Sequence, residues 1–283
     1  MRPPHAPPRL LALSLCLLAA LFFCAAPRHA RAQQPFYTDD ADVTARGQFF
    51  FEATNEFDVL HATARPALRQ NTTIVTLSYG LFRNAEVSVS PPLITIFNER
   101  GAAPERVTAL GDVSFQIKYN LLREREGSRR PALTVTLSVE APTGSVAKGT
   151  GSGLFDYTLN GILQKSLTRR TTLRLNGGLV FAGNTTTGAV GLRARGRVFT
   201  GGGSIVRQFS ERLTLGAELT GARAADADLG RGLLQGQAGG NYALNSRATL
   251  DFGLIAGRFA ASPRLGAQLG FSYDLARRAA GLK

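Results

Sequence analysis

The chain has 283 residues, with 33 Lys and Arg against 20 Asp and Glu for a formal net charge of +13, and it holds only two cysteines and three histidines. So few thiols and imidazoles exclude most zinc sites and cysteine nucleophiles, which need clustered ligands or a thiol–imidazole pair. The basic balance does not point to nucleic acid, because no aromatic–basic interleaving or recognition helix accompanies the arginines.

Residues 1–32 are predicted to be a secretory signal peptide. Arg2 and Arg9 make a basic start, Leu10 to Ala26 is apolar, and Ala30–Ala32 reads Ala-Arg-Ala, a small-x-small cleavage signature. That apolar run is too short and one-sided for a membrane anchor. Cys24 raises a lipoprotein alternative, but bulky Phe22 and Phe23 stand where lipidation wants small residues. Cleavage after Ala32 starts the mature chain at Gln33, removes Cys16, Cys24 and four arginines, lowers the charge from +13 to +9, and leaves His61 as the lone histidine. No second apolar run of membrane-helix length follows.

Residues 33–45 form a lead expected on the periplasmic side. Within it, "FYTDDADVT" places Thr38, Asp39, Asp40, Ala41 and Asp42 ahead of the first strand. A calcium loop would need further ligands at set spacing, a glycine turn and a bidentate glutamate, so neither a metal nor a cofactor is expected. The carboxylates either line a barrel mouth and pair with basic turns such as Arg169–Arg170, or fold into the lumen.

From 46 to 275 the dominant period is two. In "GDVSFQIKYNLL", Val113, Phe115, Ile117, Tyr119 and Leu121 oppose Asp112, Ser114, Gln116, Lys118 and Asn120, and "PALTVTLSVEA" repeats the pattern. Such alternation is a strand with one apolar and one polar face. It predicts twelve strands, near 46–57, 71–82, 85–94, 111–122, 131–142, 156–167, 171–182, 196–209, 212–221, 233–244, 247–258 and 264–275. Most are about ten to twelve residues long, the length a tilted strand needs to cross a bilayer. Short connections, near 83–84, 123–130, 168–171, 210–213 and 244–247, alternate with longer ones at 58–70, 95–110, 143–155, 183–195 and 222–232 and a shorter one near 259–263. This is the pattern of a transmembrane antiparallel β-barrel with short periplasmic turns and longer external loops. A basic tail, 276–283, follows.

Two features agree with an outer-membrane setting in a Gram-negative bacterium. Phe57, Tyr79, Tyr157, Phe181, Phe209 and Tyr242 collect near strand ends on the apolar face, as interface girdles do. The last strand carries Gln268, Gly270, Tyr273 and Leu275, which resemble the polar-x-Gly-x-x-aromatic-x-hydrophobic signal read by the barrel insertion machinery. Outer-membrane lipid and that machinery are the expected partners. A soluble β-barrel or sandwich also alternates, but the second face here is polar and small in nearly every strand.

With "FYTDDADVTARGQFFFE" and the twelve strands in view, the chain resembles the outer-membrane proteins grouped under the meta-pathway of phenol degradation. Thr38 to Ala41 carry that family's first motif. "GDVSFQIKYNLL", "LTVTLSVEAPTGS" and "GTGSGLFDYTLNGILQKSL" carry the middle of it, and the likeness covers most of the mature chain. The resemblance implies an outer-membrane barrel with a transport role and no catalytic residues.

The polar faces place Glu52, Glu56, Glu86, Asp112, Glu140, Asp156, Glu218, Asp251 and Asp274 inside the barrel, against Lys118, Arg174 and Arg264. The lumen is therefore acidic although the protein is basic. Twelve strands give a bore between barrels filled by side chains and open porins. An acidic wall lining a passive pore favours cations or neutral solutes over anions. Alternatively, Glu52, Glu140 or Glu218 pair with Lys118 and Arg174 in a plugged, non-conducting barrel that uses its loops for contacts. Lys165 and Arg207 fall on the apolar face near periplasmic turns, where they snorkel unless a bulge shifts the register. "GTGSG", 149–153, precedes a strand and not the helix a phosphate loop needs. His61 stands alone with no serine close in sequence, so no enzyme is expected.

Overall fold

The computed structural model describes residues 35–125, 127–186, 193–224, 232–259 and 261–275. The expected signal segment 1–32 and basic tail 276–283 lie outside the described residues.

The alternating stretches form β1 (Phe49–Val59), β2 (Ala67–Phe82), β3 (Ala85–Ser90), β4 (Pro92–Asn98), β5 (Arg106–Leu110), β6 (Val113–Leu122) and β7 (Ala132–Ala141). They continue as β8 (Asp156–Thr168), β9 (Thr171–Thr186), β10 (Arg193–Gln208), β11 (Leu213–Ala224), β12 (Leu233–Ala243), β13 (Ala248–Gly257) and β14 (Leu265–Asp274). β3 and β4 both pair with β2, and β5 and β6 pair with β4 and β3 respectively, so each of these two couples is one interrupted stave. The result is the expected twelve-stave antiparallel barrel. It closes where β1 pairs with β14, from Phe50 opposite Asp274 to Val59 opposite Leu265. Closure spares the staves an edge facing lipid, which offers no hydrogen-bond partner, although β5, at the long-loop rim, is paired on one side only.

The period-two pattern sorts the two faces. Leu77, Phe115, Ile117, Leu159, Leu219, Leu254 and Leu269 are exposed on the outer wall. Lys118, Thr134, Ser204, Gln237, Asp251, Gln268 and Ser272 are buried on the inner one. This inside-out distribution is what a bilayer requires, since the apolar face meets hydrocarbon.

The short turns sit where expected, for example Arg83–Asn84 between β2 and β3. The strands on the long-loop side run further than the sequence pattern suggests. The connection expected over 95–110 shrinks to 99–105, because β4 continues to Asn98 and β5 starts at Arg106. Here Leu93 and Phe97 share one face with Thr95, while Ile94 and Ile96 occupy the other, so neither face is polar and the alternation signal is lost. Pro91 and Pro92 lack N–H donors, and the ladder breaks there into β3 and β4. Similarly, β2 begins at Ala67, within the expected 58–70 loop, and β1 extends to Val59.

Lys165 and Arg207 keep strict register with Leu173 and Leu215, so no bulge is needed to accommodate them. Lys165 pairs with Glu124 and donates to the Ser128 carbonyl at 2.5 Å, while the Arg207 guanidinium lies 5.7 Å from the Phe209 ring centroid.

Candidate functional site

The N-terminal lead does not stay at the mouth. From Pro35 to Thr44 it crosses the lumen, and Phe36, Thr38, Asp40, Ala41 and Val43 are all buried. Its path is fixed by inward polar side chains of successive staves. The Pro35 carbonyl accepts from Gln237 Nε2 of β12 at 2.7 Å. The backbone N–H groups of Tyr37 and Thr38 donate to the two oxygens of Glu218 on β11, at 2.9 and 2.8 Å. The Thr38 hydroxyl bonds Ser204 Oγ of β10 at 2.6 Å. Asp39 and Asn176 of β9 exchange two hydrogen bonds, the Asp39 N–H donating at 2.7 Å and Asn176 Nδ2 donating to the Asp39 carbonyl at 3.1 Å. The Ala41 carbonyl accepts from Asn120 Nδ2 of β6 at 2.7 Å and from Thr134 Oγ1 of β7 at 2.8 Å. Thr44 N–H donates to Glu86 Oε2 on β3 at 2.5 Å.

Charge completes the clasp. Lys118 is fully buried, with Nζ 2.8 Å from Asp39 Oδ1 and 3.2 Å from Asp40 Oδ1. Arg174 Nη2 lies 3.8 Å from the other Asp40 oxygen. An ammonium removed from water is tolerable only when paired and hydrogen-bonded, and the two aspartates meet both conditions. Burial alone would raise the Asp40 carboxyl, but Lys118 and Arg174 outweigh it and hold Asp40 below the usual carboxylate range.

Of the two sequence options for these aspartates, the structure takes the lumen, and they pair with Lys118 and Arg174, not with Arg169–Arg170. The acid partners expected for Lys118, namely Glu52, Glu140 and Glu218, are not the ones it has among the described residues. Glu218 instead receives backbone N–H groups of the lead. Gly80 gives the lead its exit. Arg46 bridges to Gly80 of β2, and a Cβ on Gly80 would lie 2.1 Å from the Ala45 carbonyl oxygen. Next to the lead, at the short-turn end, a cavity of about 660 Å³ is lined by Asp42, Thr44, Arg46, Arg83, Arg123 and Glu124, among others.

The remaining site residues lie apart from Lys118. Glu52 and Asp251 are buried at the β1–β14–β13 seam, where Ser272 Oγ donates to Asp251 at 2.8 Å. Nearer the long loops, the Tyr37 hydroxyl bonds Glu56, and Glu140 and Asp156 are cross-strand partners. Asp112 sits in the break between β5 and β6 and accepts the Gly144 and Ser152 N–H groups at 2.8 and 2.6 Å, folding the 142–155 loop inward. Beside it, Leu60, Ala64, Ala67 and Ile96 form an apolar cluster with Ile94 and Val107. Asp58, a buried acid on β1, was read as loop, although continuing the alternation past Glu52 and Glu56 would have found it. The lead's partners Asn120, Gln164 and Asn176 were also passed over, because uncharged amides inside a barrel look like ordinary wall. In the terminal strand Gln268 points inward and accepts from Gln237, Gly270 packs against Thr54 and Asp251, Tyr273 stacks 6.3 Å from Phe271, and Leu275 is exposed.

His61 Nε2 lies 3.3 Å from the Gly257 carbonyl, and the nearby Ser262 hydroxyl is committed to the Leu234 backbone. No serine–histidine pair forms there.

The fold is similar to that of an outer membrane channel from Pseudomonas putida F1, with a TM-score of 0.66 at 13% identity over 83% of this chain and 98% of the other. It is also similar to the NanC porin (TM-score 0.53, 10% identity) and the KdgM porin (TM-score 0.52, 11% identity), each covering 79% of this chain and 98% of the other. These likenesses concern the fold, which is that of outer-membrane channels. A search of curated proteins finds no match. The family model described as "Putative MetA-pathway of phenol degradation" matches residues 33–275, a span that contains all the described residues, and the protein belongs to that family.

Proposed function

We propose that the protein is a passive channel for small solutes across the outer membrane, and that passage requires the N-terminal lead to move aside. The observation that carries this reading is a closed barrel whose inner wall is polar and carboxylate-rich, with a threading segment that meets that wall through side chains such as Gln237, Glu218, Asn176 and Lys118 and joins the sheet ladder beside Gly80, at its exit. A segment knitted into the sheet could not leave without opening the wall. This one can, at the cost of side-chain hydrogen bonds and two ion-paired cations.

With Lys118 and Arg174 occupied by Asp39 and Asp40, the rest of the lumen is acidic. That field favours neutral and cationic solutes over anions. The apolar cluster around Ile94 and Ile96 at the outer mouth, together with the family's phenol-degradation description, supports small aromatic solutes as a class. No catalytic role falls to His61.

The density of hydrogen bonds between lead and wall also supports a second reading, a plugged barrel that conducts nothing. Planar-bilayer recording separates the two. The channel reading expects current with a cation-selective reversal potential, and phenol uptake into proteoliposomes. Silent bilayers from both the full protein and a variant lacking residues 35–45, each with intact heat-modifiable mobility, would leave the plugged barrel.

A further inference from the structure

The outer wall carries charge where a lipid-facing surface should not. Arg69 on β2, Arg106 on β5, Arg197 on β10 and Arg223 on β11 are exposed and share the outward register of the apolar belt. Each is the direct cross-strand partner of an outward phenylalanine. Arg69 and Arg106 flank Phe97 from either side, Arg197 faces Phe181, and Arg223 faces Phe199. The Arg106 guanidinium lies 5.6 Å from the Phe97 ring centroid, and Phe97 in turn lies 6.3 Å from Phe57. All four arginines sit at the long-loop ends of their strands, in two patches separated around the barrel. None forms an ion pair with a described residue.

At the opposite rim Arg83, Arg169 and Arg170 belong to the turns themselves, and Arg207 stands outward beside Phe209 at 5.7 Å, whereas the long-loop rim sets its outward arginines two by two. An arginine on the outward face of a strand, level with the aromatic girdle, sits where head groups begin. At Phe97 the ring attracts the Arg106 cation by its quadrupole and leaves the planar guanidinium edge free. That edge presents paired N–H donors suited to a phosphate, which an ammonium would bind only as a point charge.

We propose that these two patches, Arg69–Phe97–Arg106 and Arg197–Phe181 with Arg223–Phe199, are docking sites for the phosphate groups of an anionic glycolipid of the external leaflet, of the lipid A class. The choice of occupant follows from complementarity: two guanidiniums with no carboxylate partner among the described residues stand beside an aromatic surface, matching a phosphorylated sugar above acyl chains. This holds whether or not the lumen conducts.

The test uses the full mature protein refolded in detergent, its unfolding followed by circular dichroism and by heat-modifiable mobility because the chain has no tryptophan. Lipid A is added, and in parallel its dephosphorylated form. Lipid A is expected to raise the wild-type unfolding midpoint by several degrees, with a clearly smaller rise from the dephosphorylated form. R69Q/R106Q and R197Q/R223Q should each lose part of the shift, and the quadruple variant nearly all of it, while their midpoints without lipid stay close to wild type. If the quadruple variant refolds poorly, phosphate co-purifying with membrane-extracted wild type and each double variant gives the same comparison. Equal shifts from both lipids, no shift in the wild type, or an undiminished shift in the quadruple variant would overturn the proposal. So would a patch that retains a protein in place of lipid.

Discussion

In the half of the barrel nearer the short turns, Lys118 and Arg174 face Asp39 and Asp40 of the lead. In the half nearer the long loops, Glu56, Asp58, Glu140 and Asp112 have no lysine or arginine within ion-pair distance among the described residues. Both halves come from the same alternating strands, and both carry inward charge. The difference lies in what the chain threads between the walls. One ten-residue strip of backbone and two aspartates turns half the lumen into an ion-paired polar core, and leaves the other half as an acidic vestibule. A barrel can therefore be closed by its own N-terminus without any change to its wall.

That contrast can be broken at its strongest point by Lys118→Met. Removing one partner of a buried ion pair costs about 3–5 kcal/mol, and here Asp39 and Asp40 both lose the Lys118 ammonium, Asp40 keeping only the more distant Arg174. Urea unfolding in detergent should show that loss, or the lead should leave the lumen and become open to protease while the barrel stays folded. Gly80→Ala attacks the exit of the lead: its new Cβ would meet the Ala45 carbonyl, and such overpacking typically costs about 1–3 kcal/mol. Limited proteolysis between residues 35 and 48 should accelerate, with heat-modifiable mobility unchanged.

Acid should act on the same half. Because Asp40 is held below the usual range in the folded protein, its ionised form stabilises the lead above the unfolded carboxyl value of about 3.9. That contribution is lost as pH falls through the depressed folded value. Channel openings should therefore become more frequent as the pH is lowered below about 4, and an Asp40→Asn variant should lack this step. The smallest stability effect belongs to the other half. Glu140→Gln removes a charge that has no lysine or arginine within ion-pair distance among the described residues. It should change stability by no more than about 0.5 kcal/mol while reducing cation selectivity in bilayer recordings.

Much of this was readable from the residues. Period two placed Glu52, Lys118, Glu218 and Asp251 on the inner wall and Phe115, Ile117 and Leu159 on the outer, because pleat geometry alone decides which way a side chain points. Alternation is silent about what lies across the lumen, so it could not match Lys118 to Asp39 and Asp40, whose segment has no period of its own. It also fails where both faces are apolar, as in Leu93–Phe97, so the sequence pattern ends the strand at Ile94 and leaves residues 95–98 of β4 and all of β5 in the expected loop. The arginines of the outer rim escape for a related reason: Arg69, Arg197 and Arg223 lie just beyond, or at the edge of, an expected strand, and Arg106 lies in β5, inside the expected 95–110 loop.

The most direct test of the account locks the lead in place. Ala41 of the lead packs with Ala132 of β7 and Ile162 in one buried cluster, and the predicted mature chain has no cysteine of its own. An A41C/A132C variant joins lead and wall by a disulfide, and planar-bilayer conductance is recorded before and after reduction. The account predicts a silent oxidised channel and recovery of current on reduction. Equal conductance in the two states would contradict it, because solute would then pass without any movement of the lead.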